Sequence, residues 1–166
     1  MSGGRAPAEA DARWLRASFG LARQAATRGD EPYGAVLVDA EGKALLEGQN
    51  TIVTTGDRTG HAEINLLRRM GGLDPAQLAA ATLYASTEPC AMCAGAVYWS
   101  GVGRLVFGLS NARLYGEVLP RSPGALRLGC RDVLGAGDSR VEVAGPLLED
   151  EAAAVVAEWA AGRGGA

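Results

Sequence analysis

A net charge of −3 over 166 residues, 48% of them hydrophobic and 21% charged, describes a globular chain long enough to bury a real core. It argues against a large nucleic-acid interface, which needs a basic face. Lacking an apolar run of about 18 residues and an apolar signal core near Met1, the chain is expected to be one cytoplasmic domain over 1–166 with no membrane span.

Residues 1 to 7 are expected to be disordered. Residues 8 to 28 read as a helix, with Trp14, Leu15, Phe19, Leu21 and Ala22 as an apolar stripe at helical spacing. Gly29-Asp30-Glu31-Pro32 ends it. Tyr33 to Asp39 reads as a buried strand, Glu41-Gly42 as a hairpin turn, and Ala44 to Asn50 as the returning strand, antiparallel because the turn is too short for a crossover. A polar loop over 51 to 60 leads to a helix from His61 to about Arg69, stopped by Gly71-Gly72. A strand over Ala81 to Ser86, a helix from Cys90 to about Ser100 and a strand from Arg104 to Gly108 follow. Residues 110 to 128 are rich in glycine and proline and read as irregular. Arg140 to Val143 adds a strand, and Leu147 to about Ala160 a last helix, with 162–166 expected to be disordered. Helices alternating with strands indicate a layered α/β domain.

Two of the three cysteines, Cys90 and Cys93, are spaced C-x-x-C at the start of a helix, in Thr87-Glu88-Pro89-Cys90-Ala91-Met92-Cys93. Pro89 suits a first helical turn, where its missing N–H costs nothing. Side chains three apart share a helix face, so both sulfurs can point at one spot, and the helix N-terminus favours thiolate there. In a reducing compartment such a pair is metal-binding or catalytic, and three cysteines do not make a disulfide framework. By itself the pair fits a redox disulfide as well as a metal. The single histidine, His61, opens the preceding helix in His61-Ala62-Glu63 and completes H-x-E…P-C-x-x-C, the signature of zinc deaminases acting on nucleobases.

The chemistry accounts for the residue types. Zinc takes imidazole nitrogen and thiolate sulfur in a tetrahedral site, and three protein ligands leave a fourth position for water. Zinc lowers the pKa of that water towards about 7 and supplies hydroxide at neutral pH. Glu63 is expected to carry the water proton to the ring nitrogen beside the attacked carbon and then to the leaving ammonia. A closed structural zinc site would need a fourth ligand, for which Cys130 is the remaining candidate. That cysteine reads instead as a free, partly buried thiol.

At these residues the chain resembles the cytidine deaminase-like superfamily, in the branch that holds guanine deaminases, fungal-type cytosine deaminases and bacterial tRNA adenosine deaminases. The resemblance covers roughly residues 10 to 110 and rests on His61-Ala62-Glu63, on Thr87 to Ala96 and on the spacing from Asn50 to His61. It implies a three-layer α/β/α fold around a mixed five-stranded sheet, a zinc cofactor and a homodimer. It implies His61, Cys90 and Cys93 as zinc ligands, Glu63 as proton shuttle and Asn50 as a hydrogen-bond partner of the base. Backbone groups at Ala62 and Glu88 are candidate contacts to base or leaving group, and Gly34-Ala35 a candidate pocket floor. Tyr98-Trp99 follows Cys93 as in the guanine deaminase group. Trp99 is then a candidate for stacking on a purine, the alternative being helix core.

The implied activity is hydrolytic deamination of a free base or nucleoside, with guanine favoured and cytosine and aza-analogues open. tRNA adenosine deamination is the alternative. Cys93-Ala94-Gly95-Ala96 and Gly103 to Gly108 look like the tRNA group, but an acidic chain disfavours tRNA as partner. A non-catalytic zinc module is a third reading, against which the presence of Glu63 speaks.

Overall fold

The computed structural model describes residues 8–163. Helix α1 (Ala8–Arg28) leads into the hairpin β1 (Gly34–Val38) and β2 (Ala44–Gln49). Three short helices follow, α2 (Ile52–Thr55), α3 (Ala62–Leu67) and α4 (Pro75–Ala80). Then come β3 (Thr82–Thr87), α5 (Ala91–Ser100) and β4 (Arg104–Leu109). Helix α6 (Asn111–Arg113) widens into a π-helical turn (Leu114–Val118). Helix α7 (Cys130–Gly135), strand β5 (Glu142–Ala144) and helix α8 (Glu149–Arg163) complete the order.

The five strands form one mixed sheet in the order β2-β1-β3-β4-β5. β1 is antiparallel to both β2 and β3, whereas β3, β4 and β5 run parallel. Successive side chains of a strand point to opposite faces, and the burial follows that alternation. Ala35, Leu37, Leu83, Ala85, Leu105 and Phe107 face a core shared with α3, α4, α5 and α7. Val36, Val38, Tyr84 and Val106 face a second core with Leu15 and Phe19 of α1 and Val155 and Val156 of α8. The expected three-layer α/β/α architecture is therefore present.

Polar ties fix α1 to the sheet. Asp11 accepts from the Tyr84 hydroxyl at 2.8 Å and from both Arg104 terminal nitrogens at 2.8 and 2.9 Å. Breaking one partner of such a buried pair costs about 3–5 kcal/mol, because the other charge stays buried. Close backbone packing fixes the rest. A Cβ on Gly48 of β2 would strike the Ala62 carbonyl oxygen and lie 2.8 Å from the Leu66 Cβ, so glycine there lets α3 lie on the sheet.

Several expectations change. Helix α4 stands where the sequence reading has no element. Its N-terminus is a capping box in which the Asp74 side chain accepts from Gln77 N–H. The stretch expected to be irregular holds α6 and the π turn, and α7 follows it. Cys130 is fully buried rather than partly so. Gly162 and Arg163 close α8 instead of being disordered, while the expectation for 1–7 and 164–166 lies outside the described residues. Among the described residues no helix is long and apolar enough to cross a membrane.

Candidate metal and active site

The carboxyl ends of parallel strands are where an open α/β sheet leaves room for a ligand. β3 and β4 end side by side, Thr87 paired with Leu109. Beyond Thr87 the chain runs through Glu88 and Pro89 into Cys90, the N-cap of α5 with extended backbone (φ −63°, ψ 171°). Pro89 therefore precedes the cap instead of occupying the first helical turn. Cys93 is buried in that first turn. Helix α3 packs against α5 and begins at His61, also an extended N-cap (φ −69°, ψ 154°), with Glu63 buried in its first turn.

This packing brings one donor atom from each of His61, Cys90 and Cys93 within 4.8 Å of the others. Cys90 Sγ lies 3.6 Å from His61 Nδ1. Zinc bonds of about 2.3 Å to sulfur and about 2.0–2.1 Å to nitrogen, opened to the tetrahedral angle, separate sulfur from nitrogen by about 3.6 Å. Geometry and donor chemistry thus both fit zinc. Cys130 is not in the cluster, so a closed site with it as fourth ligand does not form. Burial, then the nearby Glu88 carboxylate, push its thiol up to about 12.

The three donors are strongly coupled to one another. Hydrogen bonding from Cys93 first, and from His61 after it, outweighs burial and pulls the Cys90 thiol down to about 4. The same Cys90 partner, with burial, holds Cys93 in its protonated form, so the two sulfurs titrate as one unit. The hydrogen bond to Cys90 raises His61 against the effect of burial. Burial raises Glu63 above the ordinary carboxylate range.

These groups stand in a cleft of about 1090 Å³. His61, Glu63, Glu88 and Cys90 line one wall. Asn111 joins them through its bond to Glu88, and Tyr115, residues 118–126 and Trp159 line the rest. Arg58, Arg121 and Arg163 also face the cleft, and none of the three forms an ion pair among the described residues.

The expected substrate contacts divide. Asn50 is fully buried, and its N–H donates to the carbonyl of Tyr33, a cleft residue. Its Oδ1 accepts from Ile52 N–H at 3.0 Å, while its Nδ2 has no partner among the described residues. Ala62 sits between the cleft residues His61 and Glu63 with its side chain in the core. Glu88 reaches the cleft through its carboxylate as well. Its Oε2 accepts from Asn111 N–H at 2.8 Å and its Oε1 from Cys130 N–H at 2.9 Å.

Gly34 and Ala35 do not form the pocket floor. A Cβ on Gly34 would meet the backbone of Ser18 and Ala22, so this glycine serves the packing of α1, and Ala35 is fully buried in the sheet. Trp99 is 85% exposed on the outside of α5, neither in the core nor on the cleft wall, and forms a T-shaped pair with Tyr98 at 5.3 Å between ring centroids. Tyr33, Asn111, Tyr115, Trp159 and the three arginines escape the sequence reading. Only Asn111 carries a signal, following β4 as the cysteine segment follows β3.

Comparisons with known proteins agree with this geometry. Residues 8–109 match the family model for the cytidine and deoxycytidylate deaminase zinc-binding region. A probable cytosine deaminase of Schizosaccharomyces pombe is 41% identical over 152 residues, covering 87% of this chain and 88% of that protein. A tRNA-specific adenosine deaminase of Haemophilus influenzae is 40% identical over 112 residues, 67% of this chain and 65% of that one. Among solved structures, the guanine deaminase from Nitrosomonas europaea superposes with a TM-score of 0.77 at 26% identity, covering 97% of this chain and 96% of that one.

Proposed function

The chain belongs to the cytidine and deoxycytidylate deaminase zinc-binding family, and from that premise we propose that it deaminates a free nucleobase, guanine first and cytosine second. That it is a zinc deaminase follows from the family and the His61, Cys90 and Cys93 cluster. The choice of a free base rests on the probable cytosine deaminase, matched at 41% identity over 87% of this chain and 88% of that protein, and on the guanine deaminase structure, whose TM-score of 0.77 exceeds the 0.68 of a tRNA:A34 deaminase structure that covers 87% of this chain.

His61, Cys90 and Cys93 would hold the zinc. Bound there, zinc supplies Lewis acidity that brings the pKa of water towards about 7. Glu63 takes the proton of the attacking water and passes it to the ring nitrogen beside the amino-bearing carbon. A carbon–oxygen bond forms. Glu63 then takes the proton of the new hydroxyl and delivers it to the amino group, the carbonyl forms as the carbon–nitrogen bond breaks, and ammonia leaves with its electron pair. We read the buried Asn50 side-chain amide, whose Nδ2 has no partner among the described residues, as the donor to an acceptor of the base. Conversion of guanine to xanthine, or of cytosine to uracil, followed by chromatography, tests the assignment. Neither conversion by zinc-loaded protein would overturn it.

A second reading, deamination of adenosine in tRNA, is favoured by Arg58, Arg121 and Arg163, which face the cleft without carboxylate partners and suit phosphate. The chain is further proposed to form a homodimer. Met92 and Trp99, seven residues apart on one exposed side of α5, supply an apolar face for it, and a monomeric mass in sedimentation at micromolar concentration would refute it.

A further inference from the structure

Buried donors in folded proteins almost always find acceptors. Among the described residues two buried side-chain polar atoms do not, Asn50 Nδ2 and Asn111 Nδ2. The first belongs to the base contact described above. The second has no role there, yet Asn111 is only 6% exposed and lines the same cleft as His61, Glu63 and Cys90.

The position of Asn111 is fixed from both sides. Its backbone N–H donates to Glu88 Oε2 at 2.8 Å, and Glu88 lies two residues before Cys90. The preceding Ser110 caps α6, accepting from Arg113 N–H at 3.2 Å. Ser110 is itself held from α8, where Glu149 Oε1 accepts from its N–H at 3.0 Å and from its hydroxyl at 2.5 Å. Leu109, the last residue of β4, is in register with Thr87, so Asn111 and the cysteine segment leave adjacent parallel strands on the same side. An apolar side chain of similar size would fill this wall without leaving a donor unpaired. A buried side-chain amide on a fixed backbone, left unpartnered among the described residues beside the cleft, is instead the arrangement of a group completed by substrate.

We propose that Asn111 is a specificity-determining residue, whose side-chain Nδ2–H donates to a lone-pair acceptor, a ring nitrogen or a carbonyl oxygen, on the bound nucleobase, resting on the reading of the cleft as a base site. Asn50 and Asn111 follow different strands, β2 and β4, and of the two only Asn111 lines the cleft. A site built to donate at a given atom discriminates against an analogue lacking the acceptor, because the donor is then left buried and unpaired.

The test uses zinc-loaded full-length protein carrying Glu63→Gln, so that binding is measured without turnover. The probes for calorimetry are guanine, 3-deazaguanine, 7-deazaguanine, 2-aminopurine, cytosine and 4-aminopyrimidine. Adding Asn111→Ala is expected to weaken binding of the preferred base about 10-fold. The parent's discrimination against one acceptor-lacking analogue should shrink by the same factor, and discrimination against the others should stay. Asn111→Asp, which turns an acceptor towards an acceptor, should weaken binding further. Asn111→Leu, which keeps the volume, should repeat the alanine result if the alanine variant folds poorly. An equal loss on every analogue, or an unchanged profile with normal affinity, overturns the assignment. If the parent holds zinc but binds none of the bases, the base-site reading fails and this inference fails with it. If the parent binds and the Asn111 variants keep its profile, only this inference fails.

Discussion

The wall of the cleft that carries His61, Glu63, Cys90 and Cys93 consists of two helix N-termini packed on the sheet, with a continuous apolar core beneath them. The facing wall consists of a π-widened turn, the stretch 118–126 and the last turn of α8, and much of it is exposed, Leu126 to 57%. The first wall has geometry to protect, since a metal site tolerates displacements of only a few tenths of an ångström. The second has a shape to offer, and loops on a rigid frame can change shape without unfolding it. We propose that the first wall sets the reaction and that the second contributes to the choice of substrate.

Changes of similar size in the two walls should therefore have unlike effects. The largest is expected from His61→Ala or Cys90→Ser, which should leave well under one zinc per chain by metal analysis and no measurable turnover. Next is Glu63→Gln, which should keep zinc and melting temperature but lower kcat by about 100- to 10,000-fold, the range for a general acid–base group. Gly48→Ala pushes a methyl group into the Ala62 carbonyl and moves α3, so it should cost about 1–3 kcal/mol of stability and also reduce kcat, read by thermal melting and kinetics. Leu126→Ser on the facing wall should change stability by no more than about 0.5 kcal/mol and act through KM. Equal damage from these two substitutions would break the distinction between the walls.

The effect expected to be smallest on turnover, though not on stability, concerns the loop that carries Arg58. Asp30 is fully buried and accepts from Thr54 N–H at 2.8 Å, from the Thr54 hydroxyl at 2.5 Å and from Arg28 Nε at 2.8 Å. Burial works to raise its pKa, but the Thr54 and Arg28 hydrogen bonds outweigh it and hold the carboxyl below its ordinary range. A lowered carboxylate contributes stability above its ordinary pKa and loses it as pH falls through the lowered value. Asp30→Asn should thus destabilise by about 1–3 kcal/mol at neutral pH and by progressively less in acid melts.

The legibility of the sequence follows the same division. Helix α1, the β1–β2 hairpin and the β3–α5–β4 unit are readable because their apolar spacing repeats within one element. The metal cluster is readable because His61 and Glu63, and likewise Cys90 and Cys93, are near neighbours whose spacing encodes a shared face. Helix α4 is short and lies among glycines and alanines without periodicity, and its capping box is the only signal for it. Gly34 shows the limit of reading a small residue locally, since what it makes room for is α1, distant in the sequence. Trp99 shows the limit of reading an aromatic by spacing alone, for its outward direction depends on how α5 sits on the sheet. Asn111 acquires its place from Glu88 and Glu149, contacts that no local pattern contains.

Ammonia release is the most direct measurement, taken across free bases, nucleosides and a deaminase-site tRNA, with Glu63→Gln as control. The account predicts ammonia from a free base, guanine before cytosine, dependent on zinc and nearly abolished by Glu63→Gln. Ammonia from tRNA alone, or from a free base at an undiminished rate in the Glu63→Gln protein, would contradict it.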